Sequence, residues 1–487
     1  MSVQLIPPAY ARLPNSLYAT LPLAQWDNPA LFALNDQLAQ TLGLPTEGLR
    51  DRATALLSGA ETVHSEAPLA MVYSGHQFGQ YAGRLGDGRA MLIGEIIDPD
   101  GHCHECHLKG SGLTPYSRGG DGKATLGSAI REYLISEAMA GLGVPTSRSL
   151  AIVTTGETLQ RQNPSPGAIL TRTARSHIRV GTFQYIATDL DTETLYALAD
   201  FAIERLDPDL FDLGEERYLR FMNEVAHRQA KLIANWMSFG FIHGVMNTDN
   251  MALSGETIDY GPCAFMDDFH PAKVFSSIDY YGRYAWNKQA EIGLWNLSRL
   301  AEAMLPLFGN NEETQIKNAE SALSKYPGQF KTAWTDAISR KLGLREGQHD
   351  AFITTTLSAF MESKVDFTRV FTALTRHMDS ADKGAIIAEF ETAQAGEEWL
   401  ATWQNLTGGR DAISQDAKAV MHALNPVRIA RNHQVEAAIA AAEAGQREVF
   451  DKLKTALLNP FEEDSRLQSF EQAPSSDEIV QQTFCGT

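Results

Sequence analysis

Cysteine is scarce, with four residues in a chain of 487. Four thiols do not make a disulfide scaffold, and a chain this long can bury a large core without one. Long apolar runs are missing as well. No stretch approaches the ~20 residues of a membrane-spanning helix, so no membrane is expected among its partners. Positive charge is in deficit. The 41 Lys and Arg stand against 60 Asp and Glu, a formal net charge of −19. That balance argues against general nucleic-acid binding, which needs basic surface. The opening stretch MSVQLIPPAYARLP lacks the charged start and apolar core of a secretory signal. A reducing, cytoplasmic setting is therefore expected. The remainder, 44% hydrophobic and 21% charged, is ordinary for a globular protein longer than one average domain.

What is present concentrates in residues 243–261, HGVMNTDNMALSGETIDYG. Upstream, 216–241 is helix-periodic, with Leu219, Val225, Leu232, Ile233 and Trp236 on one face and Gly240 suited to the end. Residues 251–253 and 256–258 read as two short strands around a turn at Ser254-Gly255. Such a hairpin sets Asn250 beside Asp259. One carboxylate and one amide oxygen suit the inner sphere of Mg²⁺, with Mn²⁺ as an alternative. The spacing resembles the protein-kinase catalytic loop, H-R-D-x4-N, and the later metal motif D-F-G. His243 and Asn250 keep the seven-residue separation, and Asp259-Tyr260-Gly261 stands where D-F-G would be. The position of the kinase base is Val245, which accepts no proton. Asp249 is the only carboxylate left in the loop.

Earlier in the chain, Gly83-x-x-Gly86-x-Gly88-Arg89 suits a loop that covers phosphates, because glycine lets backbone N–H groups approach an anion. A glycine-rich hairpin is the plain alternative. Residues 93–97 and 102–109 read as antiparallel strands joined at Pro99-Asp100-Gly101. Lys109 ends the second strand, as the phosphate-binding lysine of kinases does. Cys103 and Cys106 have C-x2-C spacing but no second pair follows, so they read as structural, not as a zinc site. The segment 109–123, with Asp121-Gly122, suits a flap that reaches ribose, base or metal-bound water. A helix follows over 125–142. Its Glu132 and Glu137 lie roughly 140° apart about the axis, and Glu132 is expected to pair with Lys109, with Glu137 as the fallback. Arg172, Arg175, His177 and Arg179 crowd into eight residues. They read either as surface ion pairs or as a second polyphosphate clamp. The residues alone give a kinase-like site and leave the transferred group open.

Several long segments resemble the selenoprotein O family of pseudokinase-like protein adenylyltransferases. They are YSGHQFGQYAGRLGDGRA, HLKGSGLTPYSRGGDGKA, SAIREYL, TRTARSHIRVGTF, HGVMNTDNM, DYGPCAFMD and SSIDYYGRYAW. The resemblance implies transfer of AMP from ATP to Ser, Thr or Tyr hydroxyls of other proteins, with some relatives transferring UMP from UTP. It implies that Gly86, Gly88, Arg89, Lys109, Asp121, Gly122, Arg172 and Arg179 hold the nucleotide and that Glu132 pairs with Lys109. Asp249 is then the proton acceptor, and Asn250 and Asp259 hold Mg²⁺. It also implies a regulatory disulfide between Cys263 and Cys485 near the end of the tail. The alternatives are phosphoryl transfer as in a kinase and a non-catalytic nucleotide-binding scaffold.

The expected fold is α+β, two-lobed and kinase-like. Residues 1–70 form an arm with helices over 28–42 and 47–57, 71–195 an N-lobe, and 196–459 an enlarged helical C-lobe. Helices are expected over 288–307, 312–325, 329–342, 349–362, 382–394 and 434–457. The acidic tail 460–487 is expected to be mobile.

Overall fold

Alternation of apolar side chains along the central strands sets the architecture. The computed structural model describes residues 5–345 and 349–484. Its strands are β1 (Tyr18–Thr20), β2 (Ala30–Leu34), β3 (Leu69–Met71), the small hairpin β4 (Gly75–Gln77) and β5 (Gln80–Ala82), β6 (Ala90–Ile97), β7 (Cys103–Lys109), β8 (Ala124–Thr125), β9 (Arg148–Leu159) and β10 (Ser165–Ala174). The main sheet runs β1-β3-β6-β7-β10-β9-β2, with β8 also on β10. Every pairing in it is antiparallel. A separate pair, β11 (Phe241–Ile242) with β12 (Ala264–Phe265), frames the later loops.

One face of the sheet buries Ile93, Leu108, Val153 and Ile169 under helices α1 (Asp36–Thr41) and α2 (Thr46–Leu56). The neighbouring residues Leu92, Ile152 and Leu170 join the opposite cluster with Ile130, Tyr133 and Leu134 of helix α3 (Leu126–Gly141). Successive strand residues point to opposite faces. Leu108 faces α1 and α2, so His107 and Lys109 face α3. Thr125 caps α3, its Oγ1 accepting from Ser128 N at 3.2 Å. The helix is buried on nearly all sides because sheet and later helices both cover it, so its Arg131, Glu132 and Glu137 are buried as well.

Helices α4 (Val180–Asp189), α5 (Thr192–Leu206) and the long amphipathic α6 (Glu216–Ser238) follow. Then come α7 (Gln289–Met304), α8 (Glu312–Leu323), α9 (Tyr326–Lys341), α10 (Asp350–Glu362), α11 (Arg369–Ser380), α12 (Gly384–Ile387), α13 (Ala393–Thr407), α14 (Gln415–Leu424), α15 (Asn432–Glu443) and α16 (Glu448–Leu458). The mixed class agrees with expectation: a large antiparallel sheet with many helices. Among the described residues no helix is long and apolar enough to cross a membrane.

Four segments differ from their expected form. The helix expected over 28–42 is split, because Ala30–Leu34 pairs with β9 and Asn35 Oδ1 then caps α1 by accepting from Leu38 N. The hairpin expected over 251–258 does not form. Ala252 pairs with Arg179 and Thr257 with Thr146, so each flank finds its backbone partner elsewhere. The helix expected over 382–394 breaks after α12, and Thr392 caps α13 by accepting from Ala395 N. The helix expected over 434–457 is two helices, divided by Gly445 in the left-handed region at φ 83°. The tail makes specific contacts over the described residues. Arg376 binds Glu463 and Glu471, and Thr483 N donates to Phe275 O at 2.8 Å.

Candidate active site

One cavity of about 880 Å³ opens between the glycine-rich loops, the N-terminus of α3 and the two later loops. Gly86, Gly88, Arg89, Lys109, Asp121, Gly122, Glu132, Arg172, Arg179, Asp249, Asn250 and Asp259 all line it, as does Val245. The structure thus brings together every residue expected to hold nucleotide, proton or metal.

Its deepest feature is a cluster of three cations on two carboxylates. Lys109 Nζ lies 2.6 Å from Glu132 Oε2 and 2.8 Å from Asp259 Oδ1. Arg172 Nη1 lies 3.1 Å from Glu132 Oε1 and 2.8 Å from Asp259 Oδ1. Arg179 Nη1 lies 2.6 Å from Asp259 Oδ2 and also donates to the Asp249 carbonyl at 2.6 Å. Burial works to raise the pKa of both carboxyls, but Lys109 and Arg172 outweigh it and hold them below the ordinary carboxylate range. Asp259 sits in the left-handed region at φ 61°. Asp tolerates that region better than most residues, and the three cations hold it there. Glu137 lies elsewhere, bound to Arg148 and Asn35, so Glu132 is the partner of the lysine.

The loop with Asp249 is built differently. It is one 3-10 turn, Thr248–Asn250, gripped by the β4–β5 hairpin. His76 N donates to Thr248 Oγ1 at 2.7 Å, and Phe78 N to Asn247 Oδ1 at 3.0 Å. Asp249 Oδ2 accepts only a long bond from Gln77 Nε2, at 3.4 Å, and Oδ1 has no partner among the described residues. Burial pushes the Asp249 carboxyl up to about 6. Gly75 is required here, because a Cβ on it would lie 2.7 Å from Asp249 Oδ1. His243 is structural: its N accepts nothing and donates to Gln289 Oε1, while its Nε2 sits 2.9 Å from the Ile258 carbonyl. It ties this loop to the segment that leads into Asp259.

Around these loops, Gly86 lies at φ 86° with the Tyr116 ring so close that a Cβ would overlap it. Asp121 pairs with Arg161 at 2.9 Å and accepts from Lys123 N. The Gly122 carbonyl accepts from Gly112 N at 3.0 Å. Arg89 forms no ion pair among the described residues, unlike Lys109, Arg172 and Arg179. Arg175 turns away, donating to the Leu206 carbonyl, and His177 binds Glu105. Of the four groups, only Arg172 and Arg179 therefore face the cavity. Cys103 donates to Glu95 and Cys106 is buried on the opposite face, which leaves no zinc geometry. Asp98, Asp100 and His102 do converge within 4.8 Å at the β6–β7 turn, an exposed position away from the cavity. Cys263 is buried, and Cys485 lies outside the described residues, so their pairing does too.

Asn250 Nδ2 donates to the Val245 carbonyl at 2.9 Å, which leaves its amide oxygen as the exposed acceptor. Asp259 Oδ2 accepts one hydrogen bond and keeps a second lone pair. These are hard oxygen donors of the kind Mg²⁺ prefers, so Asn250 and Asp259 fit that ion.

The sequence reading missed Asp87, His107, Tyr73 and Gln77. Tyr73 lies under Arg179, with 4.6 Å from guanidinium carbon to ring centroid. Asp87 is the acid between two glycines, and His107 shares a strand face with Lys109. Period-2 alternation was the signal that could have found His107.

The chain matches the family described as Protein adenylyltransferase SelO over residues 3–458. It is 47% identical over 484 residues to a protein of Bradyrhizobium sp. strain BTAi1, covering 98% of both chains. It is 46% identical over 482 residues to one from Halalkalibacterium halodurans, covering 98% of this chain and 96% of the other. A Brevibacillus brevis relative is 47% identical over 483 residues, with 98% and 97% covered. All three carry the name protein nucleotidyltransferase YdiU. With nearly half of all aligned positions identical along almost its full length, the chain belongs to the SelO protein adenylyltransferase family.

Proposed function

We propose that this protein is a two-lobed, kinase-like adenylyltransferase that moves AMP from ATP to Ser, Thr or Tyr hydroxyls of target proteins in the cytoplasm. The attacking hydroxyl oxygen bonds to the α-phosphorus, the bond from that phosphorus to the β-bridging oxygen breaks, and pyrophosphate leaves. The hydroxyl proton goes to Asp249. The names of the relatives support the reaction class.

The observation that carries the reading is the state of Asp249. It is a buried carboxylate with one oxygen unpartnered, its pKa pushed up to about 6, on the wall of a cavity rich in cations. A base poised near neutral pH is suited to accept a proton. Val245, at the kinase base position, has no such capacity. Arg89, Lys109, Arg172 and Arg179 stabilise charge that develops on the leaving pyrophosphate. Arg89 enters with no carboxylate partner among the described residues, so it adds its full charge. The other three must share theirs between the phosphates and the carboxylates Glu132 and Asp259. Asn250 and Asp259 would hold Mg²⁺, whose charge adds to this neutralisation when bound.

Transfer of label from ATP tests the reading. ATP labelled at the α-phosphorus is expected to mark protein, with a mass gain matching AMP and loss of labelling in Asp249→Asn. Protein marked only from γ-labelled ATP would replace adenylyl transfer with kinase chemistry.

A further inference from the structure

Two polar groups, Asp87 on the cavity wall and His107 behind it, take no part in the reaction above. Asp87 sits between Gly86 and Gly88 and is 3% exposed, and His107 precedes Lys109 by two residues and is fully buried. Their partners fix the protonation of the ring. Arg172 Nε lies 3.1 Å from His107 Nδ1. A guanidinium only donates, so Nδ1 accepts and carries no proton. The single ring hydrogen is then on Nε2, which donates to Asp87 Oδ2 at 3.0 Å. Burial favours the neutral ring and pushes its pKa down to about 4, against the opposing effect of Asp87. His107 also stacks on His177 with centroids 4.5 Å apart, and His177 is itself held by Glu105 at 2.7 Å. Asp87 is anchored in turn, since its Oδ2 accepts from Met71 N at 3.1 Å.

We propose that the Asp87–His107 pair is a positioning device for nucleotide binding. Neutral His107, its tautomer set by Asp87, holds the Nε edge of Arg172 and aims the guanidinium into the cavity. Arg172 is then fixed on two sides, by His107 at Nε and by Glu132 and Asp259 at Nη1. Because Asp87 belongs to the glycine loop, the same pair sets that loop and the arginine in one register. His107 touches no substrate; it acts through Arg172. The proposal rests on the reading that the cavity takes ATP.

Two measurements test it in the full chain. Selective ¹⁵N-histidine labelling reads the ring directly, with the His107 signal assigned through His107→Asn. A neutral ring protonated on Nε2 is expected at pH 6 and at pH 8. A ring protonated on Nδ1, or a charged one, overturns the proposal whatever the cavity binds. The second measurement is calorimetric titration with Mg-ATP of the wild type, His107→Gln and His107→Asn, each also in an Arg172→Lys background. Glutamine keeps a donor toward Asp87 but has no acceptor at the Nδ1 position; asparagine keeps the acceptor. His107→Gln is expected to weaken ATP binding about tenfold and His107→Asn by less than about threefold. With lysine at 172 there is no Nε–H to hold, so His107→Gln should add nothing further. Equal losses in the two variants, or the same loss in both backgrounds, overturn the proposal. If His107→Gln fails to fold, the wild-type ring spectrum and His107→Asn still decide. A wild type that binds no ATP overturns the adenylyl-transfer reading, while the ring spectrum judges His107 on its own.

Discussion

Asp249 and Asp259 stand ten residues apart on loops that face one cavity, yet their surroundings push them in opposite directions. Asp259 receives Lys109 from β7, Arg172 from β10 and Arg179 from the start of α4, and remains ionised well below the usual range despite burial. Asp249 is buried as well, but Arg179 reaches only its backbone carbonyl, and desolvation prevails. Two residues of one type thereby receive different capacities: one holds charge, the other takes up a proton. Environment assigns the roles, and the partners that differ come from far away in the chain.

The sharpest way to break the comparison is Asp259→Asn. It leaves Lys109, Arg172 and Arg179 facing one another without their shared partner. Activity is expected to fall to background, and stability to drop by about 3 kcal/mol at neutral pH. The sign with pH follows from the lowered folded pKa. The carboxylate stabilises the fold above its unfolded pKa of about 4, and that stabilisation is lost as pH falls through the folded value. The deficit of the variant should therefore shrink on acidification. Denaturant melts at several pH values, in metal-free buffer, measure it. An unchanged melting curve at neutral pH would show that the three cations do not depend on Asp259.

Asp249→Asn should give the mirror image in stability. Loss of the proposed proton acceptor is expected to lower the rate by about 10²–10⁴. The folded pKa of about 6 lies above the ordinary Asp value of about 4, so the folded state binds the extra proton and the wild type loses stability as pH rises between those values. Asparagine escapes that loss. The variant should be about as stable as wild type near pH 4 and more stable by on the order of 2–3 kcal/mol above pH 6. A variant less stable than wild type at pH 8 would mean that Asp249 is not desolvated, and the contrast with Asp259 would disappear.

How much of this was legible follows from the range over which each signal acts. The β6–β7 pair, Lys109 at its end, the helix that starts near Thr125 and the long α6 are written in neighbouring residues, and the structure has them. Lys109 with Glu132 was legible because the kinase pattern supplies the partner 23 residues on. The hairpin over 251–258 was misread because its flanks bond to Arg179 and Thr146, which local pattern does not reveal. The arginines read as a clamp for an absent anion. Much of their charge goes to Glu132 and Asp259, a pairing that only the folded sheet makes. His107 was hidden for a similar reason. Its partners Asp87 and Arg172 lie 20 and 65 residues away.

The smallest expected effect sharpens the comparison from outside. Thr483 is 1% exposed, and its Oγ1 donates to the Pro262 carbonyl at 2.6 Å, three residues past Asp259. Its backbone also pairs with the stretch 275–277: Thr483 N donates to Phe275 O, and Ser277 N donates to Thr483 O at 3.1 Å. The next residue, Phe484, reaches the cavity wall. The tail therefore touches the loop of Asp259, whereas the β4–β5 hairpin holds the loop of Asp249. Thr483→Val keeps the shape and removes one donor, which leaves the Pro262 carbonyl without that bond. The local cost is about 1 kcal/mol. Hydrogen exchange is expected to quicken over 275–277 and 480–484 by about fivefold, with residues 75–82 and 243–250 unchanged. ATP affinity should move by less than about twofold, because the hydrogen bonds of Thr483 run to Pro262, Phe275 and Ser277 and not to the residues proposed to hold nucleotide. Equal quickening over 243–250 would show that the two loops open as one unit. The opposite environments of Asp249 and Asp259 would then belong to a single cooperative segment and not to two separately built ones.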